Sequence, residues 1–154
     1  MRKRDDETVP WRTDLPRKGW FESNVVDLGV AEETCEFCGY CGIRYQHHIE
    51  HDSADPLKVG VVCAGRMTGD IELAEKLEHA TKVFKRPFKK TRTGNFQHRM
   101  ENMLVWFDNK SQQWAIKCGE EWWQDRFETS EQARQYALQV IVLSKHKSAE
   151  ESAT

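Results

Sequence analysis

The spacing Cys35-Glu-Phe-Cys38-Gly39, with a further cysteine at position 63, constrains this chain more than any other feature. Two thiols two residues apart, followed by a glycine that tolerates positive φ, make a tight turn that aims both sulfurs at one point. The chain has five cysteines, three of them between positions 35 and 41, which is an odd number for a disulfide framework and a spacing suited to metal ligation. That preference assumes a reducing compartment. No apolar run approaches the roughly 18 residues that span a bilayer, and the start MRKRDDETVP has no apolar segment of the kind a secretory leader needs. The expectation is a cytoplasmic chain with no membrane association.

With 38% apolar and 31% charged residues, 154 residues can bury only a modest core, so a metal crosslink would matter to stability. The net charge of −2 conceals an uneven distribution. From Lys82 to Arg99 there are seven lysines and arginines and no acidic residue. Pro87 and Gly94 interrupt that stretch, which reads as a helix end followed by a linker. The predicted organisation is a flexible N-terminus (1–19), a metal-binding module (20–84), a basic linker (85–95), a β-β-β-α module (96–147) and a tail (148–154).

In the first module, WFESNVVDLG reads as a strand ended by Gly29. IRYQHHIEH alternates, with Ile43, Tyr45, His47, Ile49 and His51 on one face. HDSADP is a turn, and the β-branched LKVGVVCAG reads as a returning strand with Cys63 near its end. Thr68 or Asp70 then starts a helix through IELAEKLEHATKVF, whose Ile71, Leu73, Ala74, Leu77, Ala80 and Thr81 form an apolar stripe.

Knuckle, hairpin and a cysteine at a helix entrance, over residues 33–82, resemble the treble-clef zinc fingers. The resemblance implies a structural zinc ion held by Cys35, Cys38 and Cys63. Those fingers usually take two ligands from the first helical turn, and here Cys63 is the only thiol or imidazole near that position. The fourth ligand is ranked His51 first, then His47, then Cys41. Four side chains closing a tetrahedron leave no position for substrate, so such a zinc stabilises a fold. IRYQHHIEH followed by VGVVCAGRMTGD is also similar to a set of small bacterial proteins, a similarity that carries no activity.

Three other readings compete. The cysteines can be buried small hydrophobes. The C-x-x-C can be a redox pair, although the βαβ context of thioredoxin-like sites is missing. His47-His48-Ile49-Glu50-His51 also matches H-x-x-E-H, the inverted zincin pattern of metallopeptidases, with His47 and His51 on zinc, Glu50 activating water and Glu72 or Glu75 as a third ligand. That chemistry needs the segment to be helical, which its alternation opposes.

The second module has strands in FQHRMENMLVWFD, QQWAIKCG and EWWQDRF, with turns at DNKS and at Gly119-Glu120. Thr129 and Gln132 form a capping box, and Ala133, Tyr136, Ala137, Val140 and Ile141 give the last helix its apolar face. The whole is therefore an α+β chain: a zinc-stabilised knuckle-hairpin-helix module, then a three-stranded antiparallel sheet covered by a C-terminal helix. With the preceding helix included, the order α-β-β-β-α resembles that of double-stranded-RNA-binding domains, but TSEQARQ lacks the lysine cluster that opens their last helix.

If Val105, Phe107, Trp114, Ile116 and Cys118 face the helix, with Cys118 in the core, then Trp106, Ala115 and Lys117 lie on the open face with Trp122 and Arg126, or with Trp123. Tryptophans beside cations suit base stacking and phosphate neutralisation. The candidate contacts are Lys85, Arg86, Lys89, Lys90, Arg92, Arg99, Lys117 and Arg126, on DNA or RNA. The leading expectation is a non-enzymatic zinc protein that binds nucleic acid. The alternatives are an adaptor or regulator for another protein, and a packed interface between the two modules.

Overall fold

The computed structural model describes residues 9–153. Residues 1–8, part of the expected flexible N-terminus (1–19), and residue 154, the end of the expected tail, lie outside the described residues. Ten strands and three helices are described, an α+β architecture of two principal antiparallel sheets.

The first sheet contains β1 (Phe21–Asp27), β4 (Tyr45–His51) and β5 (Ala54–Val59) in the order β1-β4-β5. Between β1 and β4 the chain makes a small ribbon of β2 (Glu33–Thr34) and β3 (Cys41–Ile43), whose connecting turn is the cysteine knuckle. The alternation in YQHHIEH is realised as a strand, and Ile49 and His47 are fully buried on its inner face.

Helix α1 (Val61–Thr68) follows directly and was not expected, because VVCAG is rich in residues that favour strands. Cys63 therefore stands in the first turn of a helix, not at a strand end. Gly60 separates β5 from the helix, and Gly69, with φ of 78°, ends it. Helix α2 (Ile71–Lys82) starts as expected, with the Asp70 side chain accepting from the Leu73 amide at 3.0 Å. Gly65 lets the two helices cross closely. A Cβ there would meet Ile71 Cδ1 at 2.5 Å and Ile71 Cα at 2.7 Å.

The second sheet has five strands, two more than expected: β6 (Phe88–Lys90), β7 (Phe96–His98), β8 (Met103–Asp108), β9 (Gln113–Cys118) and β10 (Glu121–Trp122), in the order β10-β9-β8-β7-β6. Part of the basic stretch is thus sheet. Phe88 is buried in the core, Lys89 and Lys90 pair with Gln97 and Phe96, and the turn is closed by Thr91 and Asn95. The charges disguised a strand held by one apolar anchor. EWWQDRF keeps only two residues of strand, plus an isolated bridge between Trp114 and Phe127.

Helix α3 (Ser130–Ala153) covers one face of this sheet. Its capping box forms as expected: Gln132 N donates to Thr129 Oγ1 at 3.2 Å, and Thr129 N donates to Gln132 Oε1 at 3.3 Å. Ala133, Ala137 and Leu138 meet Val105 and Ile116 in the second core. Arg134 is also buried, its guanidinium stacked 3.9 Å from the Phe96 ring centroid and 5.0 Å from that of Phe84. Cys118, expected in the core, is exposed at the end of β9.

The two halves share a seam. Ala80 of α2 belongs to the second core, and Gln139 of α3 reaches β1, accepting from Val25 N at 2.8 Å and donating to Val25 O at 2.7 Å. Its amide completes the outer edge of β1 where a neighbouring strand would otherwise pair.

Candidate metal centre and sheet face

The knuckle is built by backbone bonds. Cys35 N donates to Tyr40 O and Gly39 N to Cys35 O, both at 2.9 Å, with Gly39 at φ of 80°. Glu36 ties the turn to β5: its N donates to Lys58 O at 3.0 Å, and its carboxylate accepts from Lys58 N at 2.7 Å. The proline-punctuated segment before β1 lies against this turn. Arg12 donates to Glu36 O at 2.8 Å, the Trp11 ring meets Phe37 at 5.1 Å, and Arg66 of α1 sits over both rings.

These constraints bring the sulfurs of Cys35, Cys38 and Cys63 to within 4.8 Å of one another. Thiolates on a tetrahedral ion at 2.3 Å lie about 3.8 Å apart, so the group fits one metal ion. Cys35 and Cys63 are 1% and 0% exposed, in the first core, while Cys38 is half-buried. The hydrogen bond with Cys63 lowers the Cys35 thiol to about 6 against the opposing effect of burial, with further help from the backbone of Cys38, Gly60 and Phe37. A thiol held in this way is prepared to give up its proton to a metal.

No fourth histidine, cysteine or acidic side chain among the described residues joins the group. His51, ranked first, is committed elsewhere: Ser53 N donates to its Nδ1 at 3.0 Å, and its Nε2 donates to Lys18 O at 2.8 Å. Its ring also packs against Trp20 at 5.1 Å and lies over Gly19, where no side chain stands in the way. His47 is fully buried between two carboxylates, Glu22 Oε2 at 2.7 Å from Nδ1 and Glu78 Oε1 at 3.1 Å from Nε2. Cys41 points to Thr34 Oγ1 at 3.3 Å and Gly39 O at 3.7 Å, outside the group.

The inverted zincin pattern fails on geometry, because His47 and His51 lie on a strand. Four residues of strand separate them by about 13 Å, too far for one ion.

The buried network of Glu22, His47 and Glu78 was not legible beforehand, since its members come from β1, β4 and α2. Burial pushes the His47 imidazole towards neutrality, but the hydrogen bonds and charges of Glu22 and Glu78 outweigh it and raise it to about 9. An imidazolium thus pins α2 to the first sheet.

On the second sheet, the register assembles one row across all five strands of the face away from α3: Trp122, Lys117, Leu104, Gln97 and Lys89. Trp106 and Ala115 make the next row. At about 4.8 Å per strand the long row spans roughly 19 Å. Trp122 and Trp106 are 46% and 39% exposed, and Lys117 Nζ lies 5.6 Å from the centroid of the Trp122 ring. Trp114 and Trp123 instead pack with the second core.

Of the other expected cations, Lys85 and Arg86 follow α2, Arg92 lies in the β6–β7 turn, and Lys90 opposes Phe96 on the other side of the sheet. Arg99 donates to Arg86 O at 3.2 Å, and Arg126 donates to Trp123 O at 2.6 Å. All six are exposed, but only Lys89 and Lys117 share the tryptophan row.

Comparison of the chain with protein-family models, curated proteins and solved structures finds no match, so the expected similarities to other proteins add nothing to this geometry. No helix of the described residues is long and apolar enough to cross a membrane. What stands is an α+β chain with three cysteines placed to hold a metal ion.

Proposed function

We propose that this chain is a non-enzymatic zinc protein that binds single-stranded nucleic acid on the open face of its second sheet. Zinc suits an all-sulfur donor set formed by a knuckle and a helix entrance. Its role would be structural: it would join the turn at 35–39 to α1 in the middle of a core. Zinc binding in small fingers contributes about 10–16 kcal/mol to folding at neutral pH, and a comparable contribution would dominate a core this small.

The observation that carries the nucleic-acid reading is the row Trp122-Lys117-Leu104-Gln97-Lys89 with Trp106 beside it. Exposed indoles offer stacking faces worth about 1–3 kcal/mol per base. Lys117 and Lys89 stand three strands apart, about 14 Å, a span that suits phosphates two nucleotides apart, and Lys85, Arg86, Arg92 and Arg126 extend the positive field around the sheet. A flat face of this kind favours splayed, unpaired bases over a duplex groove.

The test is quenching of tryptophan emission by single-stranded and duplex oligonucleotides of DNA and RNA. Three to four phosphate contacts predict about a 20- to 50-fold loss of affinity for single strands between 50 and 200 mM salt. Trp106→Ala and Lys117→Ala should each weaken binding about 10-fold. Absence of binding to every polymer at 50 mM salt would remove this reading and leave the zinc-stabilised adaptor, with the same tryptophans contacting a protein, in its place.

A further inference from the structure

Where the two halves meet, a cleft of about 550 Å³ opens between β1, the end of β9, the 126–128 segment and α3. Its volume lies in the range of small-ligand pockets. Its walls carry five carboxamides, those of Asn24, Gln113, Gln132, Gln135 and Gln139. Two are already spent: Gln139 on Val25 and Thr81, and Gln132 on the capping box. The side chains of Asn24, Gln113 and Gln135 are half-buried and have no hydrogen-bond partner among the described residues.

We propose that this cleft is a pocket for a single nucleobase, read by the carboxamides of Asn24, Gln113 and Gln135. Each carboxamide presents a donor and an acceptor side by side, the complement of a base edge that also carries both. Phe127 and Tyr136, whose rings lie 5.2 Å apart, line the cleft and supply an aromatic wall. Arg126 reaches the cleft with one guanidinium nitrogen, Nη1, bound to Trp123 O and Asp125 O, and its other nitrogens suit a phosphate. Glu128 adds an acceptor for an exocyclic amino group or a ribose hydroxyl. An extended peptide fits less well, because Gln139 already occupies the amide and carbonyl of Val25 that an added strand would pair with.

The proposal rests on the nucleic-acid reading for one of its two sources of base, a strand continuing from the sheet face. The other source is a free nucleotide. Gln113 opens β9 and Arg126 precedes the bridge of Phe127 to Trp114, so a strand on the tryptophan row that passes this end of β9 could turn its end base into the cleft.

The test uses the full chain, fluorescein-labelled single-stranded octamers of A, C, G and U, and the four nucleoside monophosphates as competitors. Wild type should prefer one octamer by about 10-fold or more. The double variant Gln113→Ala, Gln135→Ala should fall to within about 2-fold for all four while keeping its thermal midpoint. Competition by the matching monophosphate, lost in the same variant, would identify a free nucleotide as sufficient; no competition, with preference retained for the octamer, would assign the base to a strand. Wild type without base preference and without monophosphate binding, or a preference that survives the double variant, would overturn the proposal. Should Trp106→Ala weaken all octamers while the double variant leaves a preference intact, the sheet-face reading stands and the cleft falls. Monophosphate binding lost in the double variant, with no octamer bound, would keep the cleft and remove the sheet face.

Discussion

Replacing Glu78 by glutamine tests whether buried charge, beyond apolar packing, holds α2 to the first sheet. The imidazolium of His47 is 0% exposed and lies between Glu22 and Glu78. Folding raises His47 from 6.5 to about 9, and at about 1.4 kcal/mol per pH unit this corresponds to roughly 3 kcal/mol of linked stability. Below pH 6.5 both the folded and the unfolded chain hold the proton, and the contribution is fully present. Between 6.5 and about 9 only the folded chain holds it, so stability falls as pH rises, and above that the contribution is gone. Burial pushes Glu78 up, but its bond to His47 and the charges of His47 and Lys82 outweigh it and hold the carboxyl below its ordinary value. Its share is therefore present above about 4.5 and lost as the solution is acidified.

Glu78→Gln removes one of two carboxylates and should cost about 2 kcal/mol at pH 6. The Lys82 contact adds little, because that lysine is half-exposed. Urea unfolding of metal-loaded wild type and variant at pH 6 and pH 10 measures the difference directly. The gap should shrink to below about 0.7 kcal/mol at pH 10, half a unit's worth of proton linkage. An equal gap at both values would refute the claim that the imidazolium carries the interaction.

Gly65→Ala places a methyl group 2.5 Å from Ile71 Cδ1 and 2.7 Å from its Cα. Overpacking of this kind costs about 1–3 kcal/mol, and the thermal midpoint should drop by about 3–10 °C. Gln139→Ala leaves the amide and carbonyl of Val25 without their buried partner. About 2–3 kcal/mol should be lost, and hydrogen exchange at Val25 should accelerate more than at Ile49, which has its partners within the sheet.

Features that depend on short-range pattern were legible in the sequence. The alternation from Tyr45 to His51 is a strand, the Thr129 and Gln132 box starts α3, and Asp70 caps α2. The cysteine group was legible for the same reason, since C-x-x-C fixes its own turn and Cys63 needed only a returning chain. What escaped was set by contacts distant in sequence. Helix α1 hides in a β-branched string because its stability comes from the close crossing at Gly65. Strand β6 hides in a run of lysines because a single buried phenylalanine pays for it. His51 ranks as a ligand from its place on the inner face near the end of its strand, and it is the path of Lys18 and Gly19 past its ring, with Ser53 on the other nitrogen, that engages it instead. The carboxamide cleft joins residues more than a hundred positions apart, which no local pattern announces.

The most direct test of the central claim is the metal content of purified protein, measured by atomic emission together with circular dichroism before and after a strong chelator. The account predicts one zinc ion per chain, loss of the folded signal when it is removed, and loss of both in Cys35→Ser and Cys63→Ser. A chain that carries no metal, keeps its thermal midpoint in chelator and tolerates both substitutions would contradict it.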